Sequence, residues 1–89
     1  MTSADRLISR GLELIRDGDI SGARLVLERA LSSGDGRAAF LLGQTFDPHM
    51  LTEWQARGIK GDTARARELY ERASQLGVAE AKDRIANLD

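Results

Sequence analysis

The chain has 89 residues, a formal net charge of −1 and no Cys. It is sized for one small domain, and it has no disulfide framework, no thiolate zinc site and no cysteine nucleophile. One His fits poorly with histidine metal sites or a Ser-His-Asp centre, near-neutral charge removes the electrostatic footprint of a nucleic-acid binder, and no apolar run nears the roughly 18 residues of a membrane span.

Twelve Leu and twelve Ala against two Val, one Trp and one Tyr describe a helical core. The first predicted helix covers 3–17, where Leu7, Ile8, Leu12, Leu14 and Ile15 recur at helical steps. The second covers 20–33. Asp19 is placed to cap it, Ala23, Val26, Leu27, Ala30 and Leu31 form its apolar stripe, and Gly34 is placed to end it. The third covers 36–46, with Ala39, Phe40, Leu42, Gly43 and Phe46. Asp47-Pro48 then reads as N-cap and first residue of a short extra helix, 48–56. In it Leu51 and Trp54 are three apart, and Gly58 follows as the stop. A helix over 63–76 carries Asp62 as cap, Ala66, Leu69, Tyr70 and Ala73 as stripe, and Gly77 as stop. The last, 78–88, carries Val78, Ala81, Ile85 and Leu88. The expectation is an all-α single domain over 1–89, with short connections that make neighbouring helices antiparallel.

The chain also repeats itself. With residues 18–38 laid over 61–81, nine of 21 positions are identical without a gap: Gly18, Asp19, Ala23, Arg24, Glu28, Arg29, Ala30, Gly34 and Ala38. Leu27 falls on Tyr70 and Val26 on Leu69, so the apolar positions correspond as well. Small residues at Gly11, Ala23, Ala30, Gly43, Ala66 and Ala73 are spaced to let helix axes approach closely.

The run Gly11-x2-Leu14-x3-Gly18-x4-Ala23-x3-Leu27-x2-Ala30 resembles a tetratricopeptide repeat. Leu42-Gly43-x2-Phe46, followed by Gly58-Ile59-x2-Asp62-x2-Arg65-Ala66-x3-Tyr70-x2-Ala73-x3-Gly77-x3-Ala81, is similar to the Sel-one-like class of that repeat. Two departures stand out: a connection about seven residues longer than the usual pattern, keeping only Gly58-Ile59, and Arg10 where an apolar residue is usual. The resemblance implies a bacterial protein and a right-handed α-α superhelix. It further implies about two helix pairs plus a capping helix, with a protein or peptide bound in the groove of the first, third and last helices.

On that groove, Asp5, Ile8, Leu12 and Arg16 form one stripe and Arg37, Phe40 and Gln44 a matching one. Arg and Gln there have the chemistry to clamp a carboxylate or a peptide backbone. Arg16, Arg37, Phe40, Gln44 and Trp54 are therefore the candidate partner-binding residues. Each has a plainer reading, as solvated face or ordinary core, and for Trp54 as a pin holding the extra helix over the core. His49 beside Asp47 is too sparse for a metal, and capping explains Asp47. Arg24–Glu28 and Arg67–Glu71, four apart, read as pairs along an exposed face. Gly34-Asp35-Gly36 is a turn, since no Lys-Ser/Thr follows to make a phosphate loop.

The expected function is a non-enzymatic protein-interaction module or scaffold, part of a larger protein, with no cofactor, no metal, no nucleic acid and no membrane insertion. The alternative is self-association through Leu12, Leu14, Val78 and Leu88, or a capping end of a longer array. Residues after Met1 do not read as a signal peptide, and the sequence assigns no compartment.

Overall fold

The computed structural model describes residues 2–88. Six helices follow in order: α1 (Ser3–Arg16), α2 (Ile20–Leu31), α3 (Gly36–Phe46), α4 (Pro48–Glu53), α5 (Thr63–Gln75) and α6 (Glu80–Ala86). No strand occurs among the described residues, and the fold class is all-α. The first five helices begin where the sequence places them, because each of those starts has a local cap; α6 has no side-chain cap. The side chains of Asp19, Asp35, Asp47 and Asp62 each accept a backbone N–H from the first turn they precede, at 2.9–3.0 Å. Thr2 and Asp5 add a reciprocal pair at the start of α1.

Helices α1, α2, α5 and α6 end one or two residues before the expected positions, and two larger departures, at the end of α4 and the start of α6, have a visible cause. Helix α4 stops at Glu53, not at 56, because Gln55 takes a left-handed conformation with φ of 56°. There Gln55 N–H donates to Thr52 O and Ala56 N–H to Leu51 O, the closing pattern that usually employs Gly. Helix α6 begins at Glu80 and not at 78, since the Val78 N–H is spent closing α5 on Ala73 O. Gly77, with φ of 96°, makes that closure possible.

Helix α1 packs on α2, α2 on α3, α3 on α5 and α5 on α6. One apolar core threads all of these: Ile8 and Leu14 of α1, Leu27 and Leu31 of α2, Leu42 of α3, Leu69 and Tyr70 of α5, and Leu88 beyond α6. Seven alanines (Ala23, Ala30, Ala38, Ala39, Ala66, Ala73 and Ala81) have no exposed surface at all. Small size is what those positions require, because a methyl already fills the space between adjacent helices.

The two largest helix pairs, α1 with α2 and α3 with α5, are built alike. A Cβ on Gly11 would lie 2.7 Å from Leu27 Cδ2, and a Cβ on Gly43 would lie 2.8 Å from Tyr70 Cδ1. Leu27 and Tyr70 are the positions that the internal repeat equates. The main chain repeats too. Asp19 N–H donates to Leu14 O at 2.8 Å, and Asp62 N–H donates to Phe46 O at 2.8 Å. Residues 15–18 bridge the first junction and residues 47–61 the second. The long connection is therefore an excursion from a conserved junction within the chain, and it leaves the helix pair undisturbed.

Arg24 holds that excursion in place. Its Nη2 donates to Thr45 O at 2.6 Å and to Lys60 O at 3.0 Å, and its guanidinium lies 3.9 Å from the centroid of the Phe46 ring. Arg24 is thus half-buried and not part of an exposed ion pair with Glu28. Burial lowers its pKa, opposed by the charges of Glu28 and Asp62. Arg67 is likewise half-buried.

Candidate functional site

A cleft of about 600 Å³ opens between α1, α3 and the start of α6. Its apolar surface comes from Ile8, Leu12, Phe40, Leu41 and Val78, and its charged residues are Asp5, Arg37 and Glu80. None of its lining comes from α2 or α5. Helical geometry explains the set. Asp5, Ile8, Ser9 and Leu12 fall on one face of α1, and Arg37, Phe40 and Leu41 fall on one face of the first turns of α3. Gly36 brings the start of α3 against the turn after α5: a Cβ there would lie 2.9 Å from Leu76 Cβ and 3.2 Å from Val78 Cγ2. That close approach puts Val78 into the cleft.

Phe40 links the cleft to the core. Its ring centroid lies 5.7 Å from that of Tyr70, tilted by 46°. Tyr70 is fully buried and donates its hydroxyl to Asp47 Oδ2 at 2.7 Å. Asp47 in turn caps α4. A chain of contacts therefore runs from the cleft through the core to the long connection.

Within the lining, Arg37 is held by two carboxylates. Its Nη2 donates to Asp5 Oδ1 at 2.6 Å and to Asp35 Oδ2 at 2.7 Å, and its Nε donates to Asp35 Oδ1 at 3.1 Å. The guanidinium hydrogen bond from Arg37 is the main reason the Asp5 carboxyl is lowered to about 2, helped by the Thr2 backbone and side chain. The Asp35 carboxyl is lowered by the same guanidinium. Leu12 is the large apolar residue left most open here, at 43% exposure.

Of the five candidate partner-binding residues, Arg37 and Phe40 line the cleft, together with Asp5, Ile8 and Leu12 of the same stripes. Arg16 is exposed at the last turn of α1 and does not line it. Gln44 is only 8% exposed, because α2, α4 and α5 surround α3 and leave only its first turns open. Trp54, half-buried as C-cap of α4, lies outside the lining. Gln44 is too buried to join Arg37 in a clamp on an incoming carboxylate, and Arg37 is itself ion-paired to Asp5 and Asp35. Ser9, Leu41, Val78 and Glu80 complete the lining, and sequence reasoning did not single them out as cleft residues. Helical spacing from Asp5 and Arg37 carried the signal for Ser9 and Leu41.

No family model, no curated protein and no solved structure matches this chain. The chemistry of the site follows from its geometry.

That geometry holds no constellation for metal chemistry. Among the described residues no three His, Asp or Glu side chains converge. His49 is exposed on α4, and the nearby Asp47 is occupied by the His49 N–H and the Tyr70 hydroxyl. Among the described residues no helix is long and apolar enough to cross a membrane. The surface proposed for self-association is also altered. Leu14 and Leu88 belong to the buried core, Val78 is partly buried in the cleft, and only Leu12 remains substantially open.

Proposed function

We propose that the chain is a non-enzymatic protein-interaction module of the tetratricopeptide-like, Sel-one-like kind, which binds a partner segment in the cleft between α1, α3 and α6. The observation that carries this reading is the cleft itself: about 600 Å³, lined by five apolar side chains and by Asp5, Arg37 and Glu80, on the face formed by α1, α3 and the start of α6. Its size suits a few bulky side chains of a partner. The matched Gly11–Leu27 and Gly43–Tyr70 contacts support a stack of two like helix pairs, and so support the resemblance to helical repeats. In such a stack one open face is left for ligands, because each pair buries the rest against its neighbours.

Peptides selected from a random display library on the immobilised chain, followed by amide chemical-shift mapping, test this reading. Shifts should concentrate on Ile8, Leu12, Phe40, Leu41 and Val78. Leu12→Asn should weaken binding by about tenfold while leaving the melting temperature within about 2 °C, because Leu12 is open to solvent. Shifts centred on Trp54 or on Leu25, the exposed leucine of α2 away from the cleft, or binding indifferent to Leu12→Asn, would place the partner elsewhere.

A further inference from the structure

We propose that the cleft selects a partner segment carrying a Lys or Arg beside its apolar anchors, and discriminates against segments rich in Asp or Glu. The inference rests on the cleft as the binding site and names the chemistry of its occupant.

The charge count at the cleft carries it. Three ionisable side chains line it: Asp5, Arg37 and Glu80. The cation among them is not free, because Arg37 is shared between Asp5 and Asp35 within 2.7 Å. The group Asp5–Arg37–Asp35 therefore carries a net charge of −1, even with its arginine fully ionised. Glu80 adds a second negative charge and makes no ion pair among the described residues. The electrostatic surface around the apolar floor is thus negative.

An incoming carboxylate meets an arginine whose charge is already outweighed by Asp5 and Asp35, and it faces Glu80 as well. An incoming ammonium or guanidinium displaces nothing. Asp5 Oδ1 takes one hydrogen bond from Arg37 and Oδ2 one from the Thr2 N–H. A carboxylate offers about four acceptor positions, so Asp5 retains room for a further donor. Apolar anchors on Phe40, Leu41 and Val78 supply affinity, and the rim charges decide which partners are steered in and which are rejected.

The test uses the full chain and a display library of random peptides about twelve residues long. Lys and Arg should outnumber Asp and Glu by about threefold in the enriched pool, near its apolar consensus positions. A selected peptide remade with each Lys or Arg changed to Glu should bind about tenfold more weakly at low salt, and the gap should shrink in 1 M salt. On the Asp5→Asn, Glu80→Gln double variant that gap should fall below about threefold, with helicity retained. Leu12→Asn separates the two readings. A pool whose binding depends on Leu12 but is charge-indifferent or acidic overturns this inference and leaves the cleft as the site. Absence of any Leu12-dependent peptide overturns both.

Discussion

The Tyr70 hydroxyl donates to Asp47 Oδ2 at 2.7 Å, and both residues are buried. This bond joins α5 to the residue that ends α3 and caps α4. It also fixes the ring that backs Phe40 and fills the hollow over Gly43. Tyr70→Phe removes the donor and leaves a buried carboxylate short of a partner. The expected loss is about 1–3 kcal/mol, measured by urea unfolding. Asp47→Ala also removes the cap of α4 and should cost more than Tyr70→Phe. Equal stability of Tyr70→Phe and the parent would mean the bond is not sustained in solution.

The same pair makes an alkaline prediction. Burial, then the Asp47 carboxylate, pushes the Tyr70 phenol well above its ordinary value near 10. A raised folded-state pKa stabilises the fold fully below the unfolded value and loses that contribution as pH rises through the folded one. Stability should therefore begin to fall above about pH 10. Tyr70 is the only tyrosine, so phenolate absorbance reports it alone. The folded chain should show no phenolate at pH 10, where the urea-unfolded chain is about half ionised.

Gly43→Ala and Gly11→Ala should separate the two helix pairs. Alanine adds helix propensity at both, worth about 1 kcal/mol. At Gly43 the new methyl meets the Tyr70 ring at 2.8–2.9 Å, and that ring is tethered by Asp47. At Gly11 it meets the tip of Leu27, an aliphatic side chain with no polar tether. Gly43→Ala should be net destabilising by about 1–2 kcal/mol, and Gly11→Ala by less. Ala30→Leu and Ala73→Leu, at fully buried positions, should each cost about 1–3 kcal/mol. Unchanged melting temperatures for both leucine variants would count against the close-packed helix pairs.

Acid titration should reveal the Arg37 cluster. Arg37 holds the Asp5 carboxyl at about 2 and lowers that of Asp35. Depressed carboxylates stabilise the fold above their unfolded value near 3.9 and lose that contribution as pH falls through the folded one. The loss should run from about pH 4 down to about 2. In Arg37→Gln the Asp5 carboxyl, followed by carbon-detected NMR, should rise from about 2 toward its ordinary value near 3.9 and stay below it, because the Thr2 hydrogen bonds remain. An unchanged Asp5 titration would remove the ion pair from the account.

Gln55→Gly should stabilise the chain. Gln55 is the one non-glycine with positive φ among the described residues, at 56°. Glycine relieves the left-handed strain at some cost in unfolded-chain entropy, for a net gain of about 0.5–1 kcal/mol. A lower melting temperature would show that the Gln55 side chain contributes more than its backbone costs.

Helix positions were legible in the linear sequence because their signals are local. An Asp side chain reaches an N–H two or three residues ahead, and apolar residues three and four apart share a face whatever lies beyond. The internal repeat was legible for a related reason. Leu27 and Tyr70 each complement a glycine on the helix they pack against, Gly11 of α1 and Gly43 of α3, so the same spacing constraint is written twice.

What tertiary structure alone decided is which parts of those faces stay open and which charges meet. Phe40 and Gln44 lie on one stripe of α3, yet only Phe40 reaches the cleft, since later elements cover the end of that helix. Arg37 looked available in the sequence, and its partner Asp5 lies 32 residues away. Arg24 looked like half of an exposed pair until Thr45 and Lys60 offered their carbonyls from a different element. Helix propensity and capping are settled over a few residues. Exposure and ion pairing depend on separations set by the packed helices, and no single stretch of sequence contains those distances.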